Sequence, residues 1–126
     1  MHQIEKKYSI ATPLDQVWEA LTNPGTITIW SGDTAQMSDK IDSDFSLWDG
    51  DIYGTNTEVE KNKLLAQDWY GGDWDKPSKV VFKLIEHDGE TELILTQNAV
   101  PRDEVDSFDA GWDDYYLGAI KDYLEK

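Results

Sequence analysis

The sequence predicts a single α+β domain over residues 1–126, with helices packed on one side of a curved antiparallel sheet of about six or seven strands. Three observations predict this class. A chain of 126 residues without an evident linker or repeat has the usual size of one domain. Short alternating runs, separated by turn signals, fill positions 43–99. A wide apolar stripe with helical spacing then runs from Val105 to Tyr123.

The first strand is predicted in "QIEKKYSI", where Ile4, Tyr8 and Ile10 alternate with polar residues. The pattern indicates one slip in phase near Lys6, because a lysine then falls where an apolar residue is expected. This strand opens the chain and leads directly into the first helix.

Two short helices follow in "TPLDQVWEALTNPGTITIW". Thr12 is the expected N-cap, and a proline in the first turn costs no hydrogen bond. Asn23 ends the first helix, since a residue before proline is pushed out of the helical region. The second helical segment carries Trp30, and we expect this pair of helices to close the open end of the curved sheet.

The central part of the chain predicts an antiparallel meander. Asp49-Gly50 and Asp88-Gly89 each lie between alternating runs and favour two-residue type I′ hairpin turns. "GGDWDKP" between two strands is expected to be a loop. Strand parity predicts one face that points toward the helix, formed by Val80, Phe82, Leu84, Leu93 and Leu95.

One long helix is predicted after Pro101. Acidic residues crowd its start and Lys121 lies near its end, which complements the helix dipole. Its apolar face is expected to comprise Val105, Phe108, Trp112, Tyr115, Tyr116, Ala119, Ile120 and Tyr123.

Composition excludes several classes of partner. The chain carries 26 Asp and Glu residues against 11 Lys and Arg residues, a net charge of −15, which repels phosphate backbones and anionic lipids. We therefore expect neither a nucleic acid nor a membrane as partner. The chain lacks cysteine, and its first residues lack the apolar run of a signal peptide, so a cytoplasmic location is predicted.

No catalytic or metal-binding constellation emerges from the sequence. His2 and His87 fall near a terminus and beside a hairpin turn, where neither pairs with a nucleophile and a carboxylate. The aspartates of "DSDFSLWDGD" and "GDWDKP" lack the ligand spacing of a calcium loop. We accordingly expect no catalytic residue, no metal and no cofactor.

Aromatic residues are the remaining candidates, since the chain is 12% aromatic with six tryptophans. The predicted faces would bring several of them together between the sheet and the long helix. They can simply fill the core, or part of the set can line a cavity in which polar tips orient a ligand. The candidate cavity residues are Trp30, Phe45, Trp69, Phe82, Leu95, Gln97, Phe108, Trp112 and Tyr116.

The segments "SIATPLDQVWEALTNPGTITIW", "FSLWDGDIYG", "TELILTQNAVP" and "FDAGWDDYYLGAIKDYL" resemble helix-grip proteins of the START and birch-pollen-allergen type. Within that superfamily they are most similar to the branch of the C-terminal domain of heat-shock-protein-90 ATPase activators. The resemblance implies a curved sheet around a long C-terminal helix, with a space between them that many members use for apolar molecules. Ser43 and Asp44 stand where many relatives have a glycine pair, and Tyr70 where an arginine is common.

Three functions follow as alternatives. The first is non-catalytic binding of a small lipid-like or aromatic molecule, and the second is a chaperone-related protein-interaction domain. A cyclase-like or hydrolase-like enzyme is third, because no catalytic group can be named. An empty chamber of roughly 300 Å³ or more would favour a ligand. A filled core beside an exposed apolar patch would favour a protein partner.

Overall fold

A computed structural model of the chain describes residues 2–48, 50, 52–71 and 76–125. Its sheet has seven strands, all paired antiparallel, in the order β1-β7-β6-β5-β4-β3-β2. The strands are β1 (His2–Ile10), β2 (Ala35–Gln36), β3 (Asp44–Leu47), β4 (Ile52–Glu60), β5 (Leu64–Gly71), β6 (Ser78–His87) and β7 (Glu90–Val100). The predicted α+β class is confirmed.

The register of the long strands confirms the predicted faces. In the β6–β7 pair, Phe82 lies opposite Leu95 and Leu84 lies opposite Leu93. These side chains are buried together with Val80, whereas Lys83 between them is exposed. Alternation with a period of two therefore places one apolar face of the sheet against the helices.

Two helices connect β1 to β2: α1 (Leu14–Thr22) and α2 (Pro24–Ser31). Asn23 separates them, and its side-chain oxygen accepts the N–H groups of Gly25 and Thr26 at 2.9 and 3.2 Å. The N-cap prediction for α1 was wrong by one residue. Pro13 occupies that position. The backbone of Thr12 is bound to the sheet instead: its N–H donates to the Ile10 carbonyl, and its carbonyl accepts the Thr91 hydroxyl.

One of the two predicted hairpin turns is confirmed. Asp88 and Gly89 both have positive φ, 53° and 82°, as a type I′ turn requires. The turn between β3 and β4 is longer than predicted, because Leu47 pairs with Ile52 and four residues lie between them. Asp49, and the part of the predicted "GGDWDKP" loop from 72 to 75, lie outside the described residues.

The C-terminal helix is long, as predicted, but it changes type in the middle. A 3₁₀ turn (Arg102–Glu104) leads into α3 (Val105–Gly111), a π turn (Trp112–Tyr116) follows, and α4 (Leu117–Leu124) ends it. Gly118 makes the π turn possible, because a Cβ at this position would lie 2.0 Å from the carbonyl oxygen of Asp113.

The π turn corrects one residue of the predicted apolar face. A π turn contains one residue more than an α turn, so it shifts the phase of the residues around it. Trp112 and Tyr116 are both buried against the sheet. Tyr115 is 71% exposed instead of buried, so its assignment to the apolar face was wrong.

Strand β1 is joined to the C-terminal helix by charged groups. The predicted slip in phase near Lys6 was wrong: Lys6 lies on the inner face, where its ammonium group contacts the carboxylates of Asp109 and Asp113 at 3.0 and 2.9 Å. The Tyr8 hydroxyl donates to the same Asp113 carboxylate. The inner face thus ends in a polar clasp, formed by Lys6, Tyr8, Asp109 and Asp113.

A second contact joins the end of β1 to the last turn of α4. The ammonium group of Lys121 donates to the backbone carbonyl of Ser9. The backbone N–H of Ala11 donates to the carboxylate of Glu125 at 2.8 Å. Lys121 and Glu125 also form an ion pair at 2.9 Å, which orients both side chains toward the backbone at the end of β1.

Candidate functional site

The space between sheet and helix is occupied by a cluster of aromatic rings centred on Trp112 and Tyr116. These two residues are four apart, and the π turn directs both side chains inward, with ring centroids 4.8 Å apart. Trp69 from β5 packs against both, at 5.0 and 5.9 Å. Phe82 from β6 lies 5.8 Å from each of them. These separations are those of packed aromatic pairs.

The wall of the cluster nearest α2 and the β3–β4 turn is also aromatic. The ring of Trp30 lies 5.0 Å from that of Tyr116, and its indole N–H donates to the Ala20 carbonyl at 2.8 Å. Trp48 packs edge-on against Tyr116 at 5.9 Å. The second helix therefore covers the aromatic cluster, as expected for the pair of helices that closes this end of the sheet.

Buried amides orient the two central indoles. Trp112 donates from its indole nitrogen to the Gln97 side-chain oxygen at 2.8 Å. Trp69 donates to the Gln67 side-chain oxygen at 2.7 Å. The Gln67 amide nitrogen donates in turn to Asn56 at 2.9 Å. The indole N–H groups of Trp69 and Trp112 are thus both satisfied, which fixes these two rings in orientation.

Two polar atoms in this region lack a partner among the described residues: the amide nitrogen of Gln97 and the hydroxyl of Tyr116. Gln97 is fully buried and Tyr116 is 2% exposed. Burial raises the pKa of Tyr116, so its hydroxyl is protonated at neutral pH. An unpaired buried donor costs free energy, so a hydrogen-bond partner at either atom would stabilise the fold.

A small pocket of about 160 Å³ borders the cluster. We call it the aromatic pocket, and it opens to solvent because Ser107 and Tyr115 on its rim are exposed. Its lining comprises Trp48, Trp69, Ser107, Phe108, Gly111, Trp112, Tyr115 and Tyr116.

The nine predicted cavity residues divide between this pocket and the core around it. Trp69, Phe108, Trp112 and Tyr116 line the pocket. The other five are buried in the core outside its lining: Trp30, Phe45, Phe82, Leu95 and Gln97. Their role in binding a ligand stays a prediction.

Sequence reasoning missed Trp48 and Tyr115 as lining residues. Trp48 has a positive φ of 55°, a conformation that a hydrophobic pattern does not reveal. Tyr115 belongs to a helix whose phase depends on the π turn. The glycine at position 118 was a signal that could have been read, since glycine permits a close backbone approach.

Chemistry elsewhere in the described residues is sparse. The His87 side chain is 84% exposed and lies 3.7 Å from the carboxylate of Asp88. The described part of the chain brings no group of three or more His, Asp or Glu side chains together in a way that could hold a metal ion. In the same part, no helix combines the length and apolar character needed to cross a membrane.

Comparison with known proteins gives one family match. The model of the family described as "Activator of Hsp90 ATPase homolog 1-like protein" matches residues 11–125. A solved structure described as an HSP90 activator from Plasmodium falciparum superposes with a TM-score of 0.91 at 27% identity. That match covers 98% of this chain and 96% of the other, so the two have about the same extent.

Curated relatives are longer. The activator of 90 kDa heat shock protein ATPase homolog 1 of Mus musculus is 23% identical over 121 residues, which cover 94% of this chain and 36% of the relative. The Hsp90 co-chaperone AHA1 of Saccharomyces cerevisiae is 25% identical over 121 residues, which cover 86% of this chain and 33% of the relative. The chain thus spans about a third of the length of the curated relatives that it matches.

Proposed function

Because the chain belongs to the family of activator of Hsp90 ATPase homolog 1-like proteins, we propose that it is a protein-binding domain that acts on an Hsp90-type ATPase. The match with the Plasmodium falciparum activator carries this proposal. It extends over 96% of that chain, whereas the matches to curated relatives cover about a third of theirs. The solved chain that is described as an HSP90 activator thus has about the same extent as this chain.

The packing of the interior supports a protein partner over a large apolar ligand. Rings from five elements fill the space between sheet and helix, and the aromatic pocket beside them measures about 160 Å³. Pockets for drug-sized ligands measure about 300–1,000 Å³. A lipid chain would require rearrangement of the aromatic cluster, whereas a protein partner needs only an exposed surface.

Charge supports the same proposal. A net charge of −15 raises the rate at which the chain meets a basic surface, because long-range attraction steers the encounter. The partner surface is therefore expected to be basic. A cytoplasmic location, which the sequence predicts, would place the chain with such a chaperone.

The test is an ATPase assay with an Hsp90 chaperone purified from the same organism as the chain. Addition of the chain should raise ATP turnover to a plateau, and binding should be saturable in calorimetry. An Hsp90 inhibitor controls for contaminating ATPases, since it should abolish the entire signal. Absence of both binding and stimulation at a large excess of the chain would overturn the proposed function.

Binding of a small aromatic molecule is a second candidate, favoured by the aromatic lining of the pocket and by the unpartnered hydroxyl of Tyr116, which is one of the lining residues. An apolar cavity of about 150 Å³ is known to hold benzene, so the pocket fits one ring with a polar group. Phenol is a suitable probe, and it should bind with one site and perturb tryptophan emission.

Trp112→Ala tests whether the Trp112 ring borders an open space or only fills the core. We expect it to abolish this binding and to cost about 3–5 kcal/mol of folding free energy if the ring is tightly packed. A noticeably smaller loss would indicate that the ring borders a void. No phenol binding at millimolar concentration, together with the full packing penalty, would overturn the second candidate.

A further inference from the structure

A second depression lies next to the aromatic pocket, and the two share part of their lining. This neighbour has a volume of about 390 Å³, and we call it the acidic depression. Trp48 and Tyr115 line both, so they form the ridge between them. The lining of the acidic depression comprises Trp30, Ser31, Asp33, Trp48, Asp114, Tyr115 and Ala119.

The two carboxylates of the acidic depression are available to a partner. Asp33 and Asp114 are exposed, and neither forms an ion pair with a described residue. One oxygen of Asp33 accepts the backbone N–H of Thr34 at 2.7 Å, which holds the carboxylate in place. The residues that line the depression include no lysine or arginine. A cation brought by another molecule would therefore meet uncompensated negative charge.

The ridge consists of two aromatic side chains, of which Tyr115 is exposed and Trp48 is half-buried against Tyr116. Tyr115 is 71% exposed because the π turn directs its neighbour Tyr116 inward. Trp48 has a φ of 55°, which is unfavourable for a bulky residue, and its backbone N–H donates to the Thr34 carbonyl at 2.8 Å. Backbone strain of this kind concentrates at functional positions. Tryptophan and tyrosine are also the residues that dominate binding energy at protein interfaces.

From these contacts we infer that this face docks a protein segment in which an apolar side chain lies next to a lysine or arginine. The apolar side chain enters the aromatic pocket, whose size suits a single side chain. The basic group enters the acidic depression between Asp33 and Asp114. The identity of the partner as an Hsp90-type ATPase rests on the proposed function; the chemistry of the segment rests on the two depressions alone.

Variants on the ridge and in the acidic depression test the inference by calorimetric titration against the purified Hsp90 chaperone. Tyr115→Ala and Asp114→Asn should each weaken binding by about tenfold or more. Both side chains are exposed, so both variants should keep the circular dichroism spectrum and thermal midpoint of the parent protein. The affinity of the parent protein should also fall as salt is added, and Asp114→Asn should reduce that dependence.

Matched controls lie on β6. Ile85→Ala removes an exposed apolar side chain and Glu86→Gln removes an exposed carboxylate, and neither residue lines either depression. Both controls should bind within about twofold of the parent protein. The same titrations distinguish failure of this inference from failure of the proposed function. Chaperone binding that Tyr115→Ala and Asp114→Asn leave unchanged overturns this inference and leaves the proposed function standing.

Two further outcomes also count against the inference. No binding of the parent protein at all overturns the proposed function and this inference with it. The remaining alternative occupant of this face is a second copy of the chain, and analytical sedimentation measures whether the chain dimerises. A dimer that Tyr115→Ala converts to a monomer, with chaperone affinity unchanged, would assign the face to self-association and overturn a basic partner segment.

Discussion

The Tyr116 hydroxyl is a buried donor within an aromatic cluster. The ring packs against its neighbours, whereas the hydroxyl has no hydrogen-bond partner among the described residues. Tyr116→Phe keeps the ring contacts and removes an unpaired polar atom. We expect the free energy of unfolding to rise by about 1 kcal/mol, because a buried unsatisfied group costs about 1–3 kcal/mol. Urea denaturation of the two proteins provides the measurement.

A loss of stability in Tyr116→Phe would contradict this expectation. It would indicate that the hydroxyl meets a bound water or small molecule in solution, as the second candidate function requires. Tyr115→Phe is the matched control, since it removes a hydroxyl from an exposed neighbour and should change stability by less than about 0.5 kcal/mol.

At the scale of the element, the π turn decides which side chains of the C-terminal helix face the sheet. Gly118→Ala would place a Cβ 2.0 Å from the Asp113 carbonyl oxygen, so the turn must shift. We expect a loss of about 2 kcal/mol or more, within the range of severe backbone effects. Denaturant midpoints of the variant and the parent protein measure this loss.

Gly111→Ala is the control for that change. It lies in the same helix, and a Cβ there would meet nothing within 4 Å. Since alanine is favoured over glycine inside a helix by about 1 kcal/mol, this variant should be as stable as the parent protein or more stable. Equal effects at positions 111 and 118 would show that the π turn imposes no special requirement.

The polar clasp between β1 and the C-terminal helix predicts a pH dependence. The Tyr8 hydroxyl, followed by the Lys6 ammonium, lowers the pKa of Asp113. A carboxyl with a lowered pKa stabilises the fold above its unfolded pKa of about 4, and this stability is lost as pH falls through the lower folded value. Asp113→Asn should therefore cost about 1 kcal/mol or less at neutral pH, because the site is solvent-exposed.

The difference in unfolding free energy between Asp113→Asn and the parent protein should shrink as pH falls below about 4. Measuring it as a difference cancels the titration of the other carboxyls. Asp39→Asn, an exposed position outside the helices without an ion pair to a described residue, serves as control and should change stability little. A constant deficit down to pH 2 would contradict an ionic role for Asp113.

At the scale of the whole molecule, a net charge of −15 opposes compactness. Sodium chloride should therefore raise the thermal midpoint of the isolated chain, because screening weakens repulsion among its carboxylates. The same salt should weaken binding to a basic partner. A midpoint that falls between low and physiological salt would show that local ion pairs such as the polar clasp outweigh the overall repulsion.

Most of the fold could be predicted from the sequence, because strand faces and helix ends are encoded by residues that are close together in the chain. Alternation with a period of two located the faces of β6 and β7, and Asn23-Pro24 located the break between the first helices. It also placed Trp69, Trp112 and Tyr116 together. The position of Tyr115 and the longer turn at Trp48 were not predicted, since neither a π turn nor a left-handed residue is visible in a pattern of apolar and polar residues.

The outer edges of the sheet bear on solubility at high concentration. An exposed strand edge recruits strands of other molecules, which leads to aggregation. Strand β2 has only two residues, too few to act as such a template. At the opposite edge, Lys121 and Glu125 bind backbone groups at the end of β1, at Ser9 and at Ala11 just after the strand. The last helical turn thereby covers the end of this edge strand, and a cut that removed it would free these two backbone groups to pair with a strand of another copy.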